Sequence, residues 1–227
     1  VKCEYCGHYT IFDERVEGVY EPRLILPFKI GKNTAVKRLE NEFSRRIFAP
    51  ESFLAQATVE KMEGNYVPFW LYDMKAYCHY AGTGTRVRVW VSGDTEFTET
   101  SYFQVSRDMD VDFEKLPVDA SLAMEDNVMD LMEPYGYEAL ENFRPEYMSG
   151  FLGEIYNQDA ETLEKRARDK AGRDASVMLH NTLNGYTTLI PQQENISLNS
   201  IQSSYALLPV WWYRYSFEGK NYDCFVN

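Results

Sequence analysis

Apolar residues recur with two different periods along the chain. Arg23-Leu24-Ile25-Leu26-Pro27-Phe28-Lys29-Ile30 reads as a strand, and Gly31-Lys32-Asn33 then leads into a helix beginning near Thr34. Val36, Leu39, Phe43 and Ile47 fall at helical spacing and give that helix one apolar stripe. Its other face carries Lys37, Arg38, Glu40, Glu42, Arg45 and Arg46, where Arg38/Glu42 and Glu42/Arg46 can pair four residues apart. From Thr58 the period falls to two, giving a strand to Met62, a turn at Glu63-Gly64-Asn65 and a long strand from Tyr66 through Tyr80. Thr85 to Val91 and Thr95 to Val105 flank Ser92-Gly93-Asp94, a strong hairpin signal. The first half is therefore predicted as a strand, a helix and an antiparallel meander.

The second half repeats that plan. A helix is predicted over Pro145 to Tyr156, with Tyr147, Met148, Phe151, Leu152 and Ile155 on one side and Pro145 in the first turn. A second helix takes Asp159 as its N-cap and runs to about Asn181 on Leu163, Ala167, Ala171 and Met178, ending at Asn184-Gly185. Strands near Tyr186 to Ile190 and Asn195 to Ser200 lead into Tyr205-Ala206-Leu207-Leu208-Pro209-Val210-Trp211-Trp212-Tyr213. That run echoes Tyr66-Val67-Pro68-Phe69-Trp70-Leu71-Tyr72, because each has a Tyr and then Pro-x-Trp after a charged helix and a short strand. The echo predicts two related αβ modules, about 19–115 and 141–227. The alternative is that aromatic strands resemble one another by chance. Residues 116–140, with Pro117, Pro134 and a short amphipathic helix from Ser121 to Met132, read as a connector. The expected fold class is α+β, with antiparallel β-sheets and several helices in a domain over 19–227.

Composition bounds the function. A chain of 227 residues that is 44% hydrophobic and 15% aromatic can bury a core as one large domain or two small ones. Thirty-five acidic against 23 basic residues give a net charge of -12, which repels phosphate backbones and removes the term that drives non-specific nucleic-acid binding. Nucleic acid is a poor default partner. No apolar stretch reaches the ~20 residues needed to cross a bilayer, and Val1-Lys2-Cys3 lacks the start of a signal peptide, so a soluble chain is expected. A start on Val1 and a stop within the β-like run Tyr222 to Val226 read as an excision from a longer protein.

The four cysteines form one close pair and two singles. Cys3-Glu4-Tyr5-Cys6-Gly7 has the form of a zinc knuckle: the two-residue spacer lets both thiolates reach one metal, and Gly7 relieves the turn so that amides can point at sulfur. The rival readings are a redox pair, which lacks its βαβ context, and a plain turn. Zinc needs four ligands, so a second pair is expected upstream of Val1; His8 is a poorly spaced third ligand. Cys78 and Cys224 lie in aromatic strand-like runs, read as structural thiols of a reducing compartment.

Other chemistry is sparse. Asp108-Met109-Asp110-Val111-Asp112-Phe113-Glu114 alternates carboxylates with apolar residues and fits an exposed strand face. It fails as a calcium loop, since Phe113 stands where glycine is required. Paired carboxylates could serve a hydrolase, but the sequence singles out no pair. The histidines His8, His79 and His180 complete no nucleophile elbow or zinc-protease pair, and no phosphate-cradling loop precedes Lys32. Gly82-Thr83-Gly84 reads as a loop. The basic clusters Lys37/Arg38/Arg45/Arg46 and Lys165/Arg166/Arg168/Lys170/Arg173 are interleaved with acids, as on a solvated, salt-bridged face.

Cys3-x-x-Cys6-Gly7, Leu24 to Lys29, Tyr66 to Leu71, Thr85 to Trp90, Phe113 to Asp119, Glu133-Pro134-Tyr135 and Tyr205 to Trp211 together resemble the bacterial TFIIB-type zinc-ribbon proteins common in Firmicutes. Those proteins often carry the label of primosomal protein N-prime, the replication-restart helicase. The resemblance implies that residues 1–18 are the C-terminal part of a zinc ribbon whose second knuckle is Cys3 and Cys6, and that zinc is its cofactor. It also implies a membrane segment beyond Asn227, which would hold the parent at the cytoplasmic face. It supplies no catalytic residues, and the absent phosphate loop argues against the helicase label.

The resulting expectation is a non-catalytic binding or scaffold domain that recognises a protein or peptide through aromatic strands around Trp70, Trp90 and Trp211. A carboxylate-dependent hydrolase is the alternative, marked by a pocket with converging, perturbed acids. A nucleic-acid-associated protein comes third and requires a contiguous basic stripe.

Overall fold

The computed structural model describes residues 21–44, 62–122, 126–217 and 220–226. Cys3, Cys6 and His8, and with them the knuckle and its zinc, lie outside the described residues, as do the strand expected from Thr58 and the last turn of the first helix. Within the described residues the chain forms β1 (Leu24–Ile25), α1 (Lys32–Ser44), β2 (Glu63–Ser92), β3 (Thr95–Asp119), α2 (Asp126–Asp130), β4 (Glu141–Asn142), β5 (Leu152–Gly153), α3 (Ala160–Asn181), β6 (Thr188–Phe217) and β7 (Lys220–Val226). The strands make a mixed sheet in the order β3-β2-β6-β1-β4, with β5 on β2 and β7 on β6. An α+β fold is thus present. Two compact units interleave along the sequence: of the described residues, the first takes those up to 71, those within 117–163 and those from 204 on, and the second takes 72–116 and 164–203.

The first unit buries its sheet on both faces. Val67, Phe69 and Leu71 of β2 join Ala206, Leu208 and Val210 of β6 in one cluster, covered by Met129, Met132 and Tyr135. The intervening residues point the other way, with Tyr66, Tyr205 and Leu207 packing on Ile25 and Met148. Two buried faces explain why these strands read as nearly continuous apolar runs. β1 lies parallel to β6 and antiparallel to β4. It is two residues long, not the predicted eight, because Leu26 gives a last hydrogen bond to the Leu207 carbonyl at 2.9 Å and Pro27 has no N–H to continue the ladder. α1 places Ala35, Val36 and Leu39 against Met62, Trp211 and Tyr213.

Several predicted elements change here. Gly64 and Asn65 are not a turn but part of β2, because the Phe151 ring occupies the space where a Cβ on Gly64 would stand, 2.6 Å from its Cδ1. The helix expected over Pro145 to Tyr156 is a single 3-10 turn at Pro145–Met148 followed by β5. Gly150 at φ +86 ends the turn, and Phe151 leaves it to stack on Phe28 at 4.2 Å. Beyond β5, Glu154 accepts hydrogen bonds from Asn65 and Ser121. The segment read as a connector has a helix of only five residues, yet Leu116, Val118, Ala120, Met129 and Met132 are buried.

The second unit packs α3 on the sheet. Asp159 caps the helix as expected, accepting a hydrogen bond from the Thr162 N–H at 2.7 Å. Ala167, Ala171, Ala175 and Leu179 are all fully buried. They follow a strict four-residue spacing, which turns Met178 outward instead of into the predicted stripe. Ala175, Leu179 and Leu183 meet Ala76, Cys78, Tyr80 and Val105. Lys170, expected on the solvated face, is buried, while Arg168 donates to Glu164 and to the Leu198 carbonyl. The two strands predicted over 186–200 are continuous with the aromatic run in β6, and Ser200 at φ +56 marks the irregularity between them.

Candidate functional site

The three tryptophans occupy different situations. Trp70 is half-buried in the first unit, donating its Nε1–H to the Gln158 carbonyl at 3.0 Å and packing on Tyr156 and Tyr205. Trp211 is only 6% exposed; it donates to the Ile30 carbonyl at 3.1 Å and lies against Phe28 and Phe151. Both are core residues with satisfied indoles. Trp90, in the second unit, is 40% exposed.

Trp90 belongs to a two-stranded arm. Gly93 at φ +63 and Asp94 close β2 onto β3, and a positive φ at the first central position alone makes this a type II′ turn, whose twist suits the flanking strands. Counting from that turn, Trp90 should face Phe97, His79 should face Asp108 and Lys75 should face Asp112. The contacts agree: the Trp90 and Phe97 rings stack at 5.5 Å, His79 Nδ1 lies 2.7 Å from Asp108 Oδ1, and Lys75 Nζ lies 3.3 Å from Asp112 Oδ1. The ladder therefore runs without a slip from the turn to residue 112.

The base of the arm is tied where β6 begins. Thr187 donates its N–H to the Thr85 carbonyl at 2.6 Å, Val87 donates its N–H to Thr187 Oγ1, and Arg86 donates to the Gly185 carbonyl while lying over the Phe103 and Tyr186 rings. Gly82-Thr83-Gly84, read as a loop, is strand here. A Cβ on Gly84 would lie 2.5 Å from the Tyr186 ring and one on Gly82 would lie 2.6 Å from the Ile190 carbonyl oxygen, so both glycines permit close approach.

Beyond Thr187, no described residue covers either face of the arm. Val87, Val89 and Val91 share one face with Tyr102, and Val91 and Tyr102 are 66% and 72% exposed. The other face presents the Trp90–Phe97 stack with the Arg88 guanidinium 5.4 Å from the indole centre. Sequence reading singled out Trp90 alone, and the valines, Phe97 and Tyr102 were missed. Their alternation reads as an ordinary half-buried strand, and nothing in it says that both faces meet water.

Toward the root of β3 the face that carries Tyr102 becomes acidic. The predicted alternation holds, with Asp108, Asp110, Asp112 and Glu114 exposed and Met109, Val111 and Phe113 half-buried. Asp108 accepts hydrogen bonds from Tyr77 and His79, which hold its carboxyl below the usual range and push the Tyr77 phenol up. An open groove of about 420 Å³ beside this end is lined by Asp73, Lys75, Asp112, Glu114, Lys115 and Ser200. Among the described residues no three His, Cys, Asp or Glu side chains converge as a metal site.

The fold and this surface define an α+β protein with a mixed sheet and a β-hairpin arm that exposes apolar side chains on both faces. The chain is 34% identical over 209 residues, 92% of its length, to the uncharacterized protein YdjG of Bacillus subtilis (strain 168). It spans 61% of that relative's length. No family model and no solved structure matches it. No helix among the described residues is long and apolar enough to cross a membrane.

Proposed function

We propose that the chain is a non-catalytic binding domain that recognises a protein or peptide through the β2–β3 arm. The observation that carries this reading is the exposure of apolar side chains on both faces of the arm, Val87, Val89, Val91 and Tyr102 on one and Trp90 and Phe97 on the other. Apolar surface gathered on an exposed element is unfavourable in water, and a partner that covers it lowers the free energy.

The hydrolase reading has less support. A catalytic acid needs a carboxyl raised toward neutrality. Asp108, Glu138, Asp159 and Asp223 are each held low, chiefly by hydrogen bonds from His79, Lys29, Thr162 and Arg214. A nucleic-acid reading is opposed by the net charge of -12 and by Glu99, which the register of the arm sets opposite Arg88.

The test is site-specific photo-crosslinking in cells of the source organism. Probes at Val89, Val91 and Tyr102 should yield a discrete protein adduct that a probe at Lys165, on the exposed side of α3, does not. Adducts of equal pattern from all four positions, or none from the arm, would refute the proposal.

A further inference from the structure

We infer that the open edge of β3 takes up an extended segment of a partner protein by strand addition, and that this segment alternates basic with apolar residues. The inference rests on the reading of the arm as a docking element and specifies how the partner is held.

β3 ends the sheet, and among the described residues only β2 pairs with it. In an antiparallel ladder closed by a two-residue turn, residues alternate between bonding the partner strand and facing away from it. Counted from Gly93-Asp94, the odd-numbered residues of β3 bond β2, and the even-numbered ones direct N–H and C=O outward. The regular edge ends at Glu114: Lys115, at φ +56, gives its N–H to the Asp73 side chain (Oδ1, 2.8 Å) instead of a β2 carbonyl. In the outward row the Ser106 carbonyl accepts a hydrogen bond from the neighbouring Arg107 Nη1 at 2.7 Å, an exposed side chain that an incoming strand displaces, and a row of backbone groups not paired to a strand is a template for another one.

Native sheets block such edges with proline, lysine or a bulge. From Thr95 to Glu114 β3 has no proline and no lysine, and its one cation is Arg107. What it does carry is negative charge. The outward-bonding residues Asp108, Asp110, Asp112 and Glu114 place their carboxylates on one exposed face, where Lys75 pairs with Asp112. A second copy of this chain, itself at -12, is repelled from that edge, whereas a basic segment is drawn to it.

The period of two supplies the rest of the specificity. A strand laid beside residues 108–114 sets every second side chain next to a carboxylate and the others next to Met109, Val111 and Phe113, at the rim of the core. Lysine or arginine fits the first set and aliphatic residues fit the second. Farther out the segment continues along Thr98, Thr100 and Tyr102, where the arm supplies apolar contact instead of charge.

The experiment uses the whole chain and three capped peptides of about nine residues: alternating Lys-Val, alternating Glu-Val, and a block arrangement of the Lys-Val composition, long enough for a strand of ordinary length. Binding is read by fluorescence anisotropy, and the contact by amide protection in NMR. Lys-Val should bind, protecting the even-numbered amides from 104 to 114, and should bind more weakly at high salt. Ser106→Pro removes an outward N–H without touching the β2 ladder and should weaken binding about tenfold, the equivalent of one lost hydrogen bond. Asp110→Asn with Glu114→Gln should weaken it severalfold, as expected for exposed charges.

Equal affinity for Glu-Val or the block peptide, undiminished binding by Ser106→Pro, or no binding of Lys-Val would each overturn strand addition. Unchanged circular dichroism and Trp90 emission in the Ser106→Pro protein separate edge blocking from unfolding. If peptide binding fails while the Val89 and Tyr102 crosslinks persist, strand addition falls and the arm remains the docking element. If both fail, both readings fall.

Discussion

Replacing Gly64 by alanine should destabilise the first unit, although alanine suits a strand better than glycine. The new Cβ would lie 2.6 and 2.9 Å from Phe151 Cδ1 and Cε1 and 3.2 Å from Phe28 Cζ, whereas unstrained carbons sit about 3.5–4.0 Å apart. The Phe151 ring is not free to swing aside. It stacks on Phe28 at 4.2 Å, and Phe28 is itself wedged against Tyr66 at 5.0 Å and Trp211 at 4.9 Å. Overpacking of this kind costs about 1–3 kcal/mol, and the reduced freedom of the unfolded chain offsets about 0.4–1 kcal/mol. The net loss is about 1–2 kcal/mol, or roughly 2–4 °C in Tm per kcal/mol for a chain of this size. In a Phe151→Ala background the space is open, so Gly64→Ala should become neutral or slightly stabilising. The two sites should couple by roughly 1.5–3 kcal/mol. Urea unfolding followed by tryptophan emission measures this, with Trp90→Phe in every protein to remove the second unit's exposed reporter. A Gly64→Ala protein as stable as its parent, or additive effects in the double variant, would refute the argument from the missing Cβ.

Asp108 is held low chiefly by His79, then by Tyr77. Its stabilising effect is therefore fully present above the ordinary carboxylate pKa and is lost as pH falls through the depressed folded value. NMR titration of its carboxyl carbon should move upward in His79→Ala, and an unmoved titration would contradict the pairing. Burial pushes the Cys224 thiol up to about 11 and raises Cys78 as well. Neither should react with a thiol reagent near neutral pH until the chain unfolds, which mass mapping of labelled peptides checks. Asp159→Ala should lower helix content and Tm by removing the acceptor for the Thr162 N–H, while Asp159→Asn should retain most of both. Trp90→Ala should leave the far-ultraviolet spectrum and Tm unchanged while weakening partner adducts at Val89, whereas Trp211→Ala should destabilise the fold by about 3–5 kcal/mol.

Local chemistry and periodicity were legible in the chain itself. The hairpin at Gly93-Asp94, the Asp159 cap, α1, α3 and the alternating acids of β3 follow from residues that neighbour one another in sequence, where turn type, capping and side-chain period act without distant help. Where the reading failed, a distant residue had intervened: Phe151 filling the side-chain space of Gly64, Tyr186 and Ile190 doing the same for Gly84 and Gly82, and Phe28 drawing Phe151 out of a helix.

The candidate site divides in the same way. Trp70, Trp90 and Trp211 are equivalent in sequence, each an aromatic in an apolar strand. Only the folded chain separates them, because burial depends on which element lies across the sheet. Phe28 and Phe151 cover Trp211, Tyr156 and Tyr205 cover Trp70, and beyond Thr187 no described residue covers Trp90. The sequence by itself determined which residues alternate along each strand, since that period is a property of the backbone. Which face meets water, and which strand is left at the edge, was decided by the tertiary structure, since both depend on contacts between residues far apart in the chain.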